Sequence, residues 1–237
     1  MKQIIALLLV LLGIYKNSFS GSPPRFTCKN FLLNAYLYVF LSFILISLIV
    51  DIYRKNKVPS LMEIYKKAGL LFVATFLISL GLLITVMAWS PNNLIQKHLL
   101  WVTWIATMGY FLLGLAKKSP KVFEQAKVIT FGIMLSLTLL TFAFPNKIKL
   151  TWGATLVTLL LGLIIVQLVG LLYPFSSQSH YYIAYFSLLL FSFFMLYDTK
   201  KLMVKAKNCV KADYINDSLG IFLNGLNIFV DIFRLRG

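Results

Sequence analysis

The sequence predicts an all-α polytopic membrane protein, a bundle of seven helices with a further apolar segment at the amino end. Two observations carry the prediction. Of 237 residues, 59% are hydrophobic and only 13% charged, too few to solvate the surface of a soluble domain. Windows of about 19 residues also pick out seven apolar runs, near 32–52, 68–89, 98–116, 128–145, 151–173, 181–203 and 215–235. Each is long enough to cross about 30 Å of hydrocarbon as a helix. Continuous apolar runs lack the alternation of a lipid-facing barrel strand, so helices are the spanning form that satisfies the backbone.

Taken in order, the first element is "IIALLLVLLGIY" at 4–15, which follows Lys2 and precedes "SFSG". Its length suits a secretory signal peptide with small residues at a cleavage point. An uncleaved extra helix or half-helix is the other reading, and the sequence leaves both open. Breaks between the later runs fall at "NSFSGSPPR" (17–25), "SPNN" (90–93), "FPNK" (144–147) and "YPFSSQSH" (173–180), where Pro, Gly, Asn and Ser interrupt helical pattern. The domain reading is therefore 1–31 as an apolar segment with a polar linker, and 32–237 as one seven-helix membrane domain.

Twenty-three Lys and Arg stand against seven Asp and Glu. The cations concentrate in short connections such as "IYRKNKVP", "AKKSPKVFEQAK" and "VKAKNCVK". They are scattered over both membrane faces and no soluble domain carries them, so nucleic acid is not the expected partner. Anionic lipids such as cardiolipin, or other membrane subunits, are. Lys117, Lys118, Lys200, Lys201 and Lys205 are the contact candidates. If the seven helices alternate, eleven cations fall on each side, with Lys97 on one and Lys66 and Lys67 on the other. The positive-inside rule therefore leaves the orientation open. Cys28 and Cys209 share a side, which permits a disulfide without requiring one, and two cysteines make no zinc spacing.

Asp198, directly after an aromatic and aliphatic run, needs explaining. A charge in a membrane helix costs about 2.5–3.5 kcal/mol on insertion scales and usually faces protein, water or a partner. One reading places it near the headgroups beside Lys201 and Lys205, at i+3 and i+7. The last helix offers another. In "DYINDSLGIFLNGLNIFVDIFRLRG", Asp217, Asn224 and Asp231 recur every seven residues, a rotation of about 700° that returns each to nearly the same face. Asn227 lies about 60° away. Such a stripe lines an ion path or glues helices together, and spacing alone leaves both open. For Asp231 the nearer partner is Arg234, at i+3.

These two segments, "MLYDTKKLM" and "DYINDSLGIFLNGLNIFVDIF", resemble the final two helices of the transmembrane Bax inhibitor motif family. That family shows a YDT-like element in its sixth helix, matched by Tyr197, Asp198 and Thr199. Its seventh carries D-x-I-x-x-x-L-x-L/I-Y/F-L-D-x-x-N-L/I-F, matched at Asp213, Ile215, Leu219, Ile221, Phe222, Leu223, Asn227, Ile228 and Phe229. The wording "YDTKKLMVKAK" and "YINDSLGIF" looks most like the mitochondrial, growth-hormone-inducible branch. The resemblance implies a seven-helix fold around a pore-like cavity, closed by two aspartates that share a proton. It also implies calcium leak or calcium/proton exchange and suppression of cell death. Two close carboxylates cannot both ionise cheaply, so protonation would switch such a gate.

The sequence departs from the family where the second aspartate belongs, because that position is Asn224. An amide donates and accepts hydrogen bonds but does not titrate. Calcium prefers six to eight oxygens with several carboxylates, so one aspartate and one amide make a poor site.

Remaining polar residues look structural. His98 and His180 read as solvated interfacial histidines, and Trp89, Trp101, Trp104, Tyr181 and Tyr182 as interfacial anchors. No catalytic triad, phosphate loop or Cys/His cluster is present in the sequence, so no enzyme and no cofactor is expected, calcium entering only under the transport reading.

Two functions stay open. One is a structural or accessory subunit of a mitochondrial inner-membrane, respiratory assembly. The other is a calcium leak channel or exchanger gated at Asp198, with Asn224, Asn227 and Asp231 lining the route. The family resemblance favours the mitochondrial inner membrane; the apolar amino terminus equally permits the endoplasmic reticulum or another secretory-pathway membrane.

Overall fold

The computed structural model describes residues 2–22, 24–65, 69–173 and 175–237. Lys66, Lys67 and Ala68, and the break prolines Pro23 and Pro174, lie outside the described residues. Among the described residues the regular secondary structure is helical apart from one hairpin, β1 (Phe19–Ser20) with β2 (Arg25–Phe26). The helices are α1 (Lys2–Asn17), α2 (Phe31–Lys55), α3 (Leu61–Tyr65), α4 (Gly69–Ala88), α5 (Leu94–Lys118), α6 (Pro120–Ala143), α7 (Trp152–Leu172), α8 (Ser177–Lys207) and α9 (Tyr214–Arg236). Six of them, α2 and α5 to α9, are long and apolar enough to cross a membrane, and Val73–Ala88 of α4 is a shorter apolar stretch. The all-α polytopic class follows.

Two compact units form, Met1–Pro120 with Asn208–Leu219 and Lys121–Lys207 with Gly220–Gly237. In the first, α1 runs antiparallel to α2. Gln3 Nε2 donates to Ser47 Oγ and Asp51 Oδ2 at one end, and Asn34 Nδ2 donates to the Asn17 carbonyl at the other. Gly13 faces Leu37 between them, where an added Cβ would stand 3.3 Å from a leucine methyl. The amino segment is thus a packed helix in this fold. Helix α5 lies against α2 and α4. Gly109 allows the first approach, since a Cβ there would sit 2.7 Å from Ile49 Cγ2, and Ser79 and Thr107 hydroxyls meet at 3.1 Å across the second.

In the second unit α7 packs on α8, and Phe123 of α6 meets Phe229 of α9 edge to face at 5.0 Å. Helix α9 is the most buried of the six long spans, with 67% of its apolar window covered against 11–39% for the others. A polar stripe on such a helix faces protein, which decides the surroundings of Asn224 and Asp231.

Three boundaries differ from the apolar runs. The basic segment "AKKSPKVFEQAK" is helical except at Ser119, because Pro120 is preorganised for a helix's first turn. Lys200 to Lys207 extend α8 rather than forming a loop, leaving only residues 208–213 to connect α8 to α9. Hydropathy windows stop where charge begins, whereas lysine is itself a good helix former. Helix α3 begins on a reciprocal cap: Ser60 N–H donates to Glu63 Oε2 at 3.0 Å and Glu63 N–H to Ser60 Oγ at 3.4 Å.

Candidate functional site

The YDT element is held by two glycines and an asparagine. Tyr197 lies on α7 at Gly153, where a Cβ would be 2.6 Å from the phenol oxygen. Asp198, one residue on, turns to α9. Asn224 Nδ2 donates to Asp198 Oδ2 at 2.8 Å. One turn before Asn224, Gly220 leaves the space the carboxylate fills, since a Cβ there would come within 2.7 Å of Oδ2. Thr199 is fully buried. Gly220 and Asn224 share a helix face at i and i+4, so α9 presents a notch and a donor to one carboxylate. Asn224 is buried and Asp198 half-buried.

The other stripe residues do not join this contact. Asn227 is folded back, its Nδ2 donating to the Leu223 carbonyl at 2.8 Å. Asp231 makes a separate buried contact: the Ser187 hydroxyl of α8 donates to its Oδ2 at 2.5 Å. Arg234 is more distant from it, at 3.7 Å, and exposed. The sequence singled out the in-helix cation and missed Ser187, because a serine midway along an apolar helix carries no signal of its partner. Antiparallel α8 and α9 thus hold two polar contacts, Asp198 with Asn224 and Ser187 with Asp231, about 10.5 Å apart along α9. Chemically, each donor holds a carboxylate oxygen across a helix interface.

At the other end of α9, sequence reasoning missed most. Lys97, counted among loop cations, is fully buried. Its ammonium donates to Asp213 Oδ2 at 2.6 Å and to the Trp89 carbonyl at 2.7 Å. Lys97, Trp101, Trp104 and Ile105 form the inward stripe of α5, so the two tryptophans are core residues rather than interfacial anchors, while Trp89, Tyr181 and Tyr182 are exposed. His98 is likewise no solvated histidine. Tyr38 Oη meets its Nε2 at 2.7 Å, its Nδ1 meets the Leu94 carbonyl at 2.7 Å, and Phe19, Phe26 and Trp101 surround the ring. Asp213 also starts α9, accepting from Asn216 N–H while Asp217 accepts from Asp213 N–H. Cys28 and Cys209 are joined in a disulfide.

Of the basic candidates, Lys117 is paired with Glu63 at 3.2 Å, and Lys118, Lys201 and Lys205 are exposed with Lys200 half-exposed. The Ser60 backbone N–H, then Lys117, hold the Glu63 carboxyl below the usual glutamate range. Among the described residues, no cluster of three or more His, Cys, Asp or Glu is placed to hold a metal ion.

The family described as "Inhibitor of apoptosis-promoting Bax1" matches residues 28–237. The chain belongs to it. Among curated relatives, a "Growth hormone-inducible transmembrane protein" of Rattus norvegicus is 30% identical over 189 residues, 73% of this chain and 54% of that one. A "BI1-like protein" of Arabidopsis thaliana is 30% identical over 147 residues, 61% of this chain and 55% of that one. The chain spans about half the length of these relatives. Within this Bax-inhibitor-family protein, the matched region takes in the YDT element, its α9 partner and both cysteines.

Proposed function

We propose that this Bax-inhibitor-family protein is a non-transporting structural subunit of a mitochondrial inner-membrane assembly, a respiratory one, in which the family's gate has become a fixed joint. The observation that carries the reading is the Asn224 amide on Asp198 at 2.8 Å. A carboxylate there could share a proton and repel its partner on ionising; an amide donor stays attractive to the ionised form. Asn227 and Asp231, the other polar groups that could line a route, are engaged with Leu223 and Ser187. The mitochondrial setting is supported by the wording of "YDTKKLMVKAK" and by the cationic excess of the chain, which suits anionic lipid such as cardiolipin. The role proposed is non-enzymatic.

Reconstitution into liposomes tests it, with calcium flux recorded against pH for wild type, Asp198→Asn and Asn224→Asp. The expected result is no wild-type flux and a pH-dependent leak in Asn224→Asp alone. Wild-type flux that Asp198→Asn alters would replace this reading with a calcium pathway gated at Asp198.

A further inference from the structure

The first unit gathers its ties at one end. Cys28 lies between the β1–β2 hairpin and α2, and Cys209 lies in the connection from α8 to α9. The disulfide joins segments 181 residues apart in sequence. Beside it, the Tyr214 hydroxyl donates to the Thr27 carbonyl, next to Cys28. Asn34 Nδ2 donates to the Lys29 carbonyl and to Tyr214 Oη. Lys97 holds Asp213, and Asn216 Nδ2 donates to the Met87 carbonyl. All these contacts are at the start of α2, the start of α5, the end of α4 and the start of α9, which is one membrane face of this unit.

Disulfides persist in oxidising compartments and are kept reduced in the cytosol and similar thiol-rich spaces. We infer that this face lies in a thiol-oxidising compartment, and that Cys28–Cys209 is a reducible clamp on the α8–α9 connection. The inference settles the orientation that charge counting left tied. It does not depend on whether the protein transports ions or which membrane holds it. In the mitochondrial inner membrane the compartment is the intermembrane space, and in a secretory-pathway membrane it is the lumen.

Both cysteines are half-buried and the lysines flanking Cys209, Lys207 and Lys211, are exposed, so a dithiol oxidoreductase can reach the bond. Release is a two-electron exchange. One thiolate of the dithiol attacks a sulfur to give a mixed disulfide, its second thiolate resolves that bond, and two protons end on Cys28 and Cys209 while the dithiol becomes a disulfide. The Tyr214, Asn34 and Lys97 contacts do not involve the sulfurs, so the helices stay docked and only the connection loosens.

Native membranes are denatured with and without prior reductant and treated with a mass-tagged maleimide. The chain has only two cysteines. No adduct without reductant and two after it are expected, with Cys28→Ser giving one adduct untreated. Two adducts on the untreated wild type would overturn the inference. In sealed vesicles or mitoplasts, trypsin on the oxidising side is expected to cut at Lys207 and Lys211 several-fold faster after reduction, and Cys28→Ser to match the reduced rate. Cutting only from the opposite side overturns the orientation. A rate indifferent to reduction overturns the clamp.

Discussion

Gly220 sets how closely α9 can approach Asp198. Any side chain there must displace the carboxylate, because even a methyl would sit 2.7 Å from Oδ2. Gly220→Ala is therefore expected to cost about 1–3 kcal/mol as an overpacking change, against the gain in helix propensity of about 1 kcal/mol that alanine brings elsewhere. Detergent thermal melts would show the sign. A rise in melting temperature would mean that the notch does not constrain Asp198. Gly81 is the control, since nothing lies within 4 Å of a Cβ there, and Gly81→Ala should stabilise or do nothing. The aspartate itself was legible in the sequence, because a charge inside an apolar run is conspicuous. Its glycine was not, because a glycine's effect is a property of its neighbour.

Elements are held together at the start of α9 by one buried ion pair. Lys97 ties the end of α4 and the start of α5 to Asp213. Removing one partner leaves an uncompensated buried charge, which costs about 3–5 kcal/mol. Lys97→Met and Asp213→Asn should each lower stability by that order, and the double variant should lose much less than their sum. Additive losses in thermal melts would mean that the two residues act separately. This pair shows where reading by pattern ran out. Among the described residues, each of the seven apolar runs carries one helix. A lysine in the first turn of α5 looks like any loop cation, because its acidic partner lies 116 residues away. The same distance blindness hid Ser187–Asp231 and left the Cys28–Cys209 bond permitted but not required.

For the whole molecule, the family supplies the fold, and the proposed structural role rests on the Asn224 amide at Asp198. A free channel needs no neighbours, whereas a subunit is recovered with them. Under the proposed accessory role, the protein solubilised in mild detergent is expected to migrate on native gels far above its 27.0 kDa, together with other membrane subunits. Migration as a lone monomer at every detergent concentration would count against the accessory role. The all-α polytopic architecture was readable because the bilayer imposes one solution on a long apolar run. Function was less so, since the resemblance holds at Tyr197, Asp198 and Thr199 and departs at their partner, Asn224.

Asn224 is followed by Gly225. In a flexible chain that pair ages fast: the glycine nitrogen closes onto the asparagine side chain, ammonia leaves, and hydrolysis yields an acidic residue. Inside α9 the Gly225 nitrogen is committed to the helix ladder and both residues are buried, so the ring cannot close. Burial thus keeps Asn224 an amide for the lifetime of the folded protein. Chain that has been unfolded or stored denatured will drift chemically toward a carboxylate at this position, without any mutation.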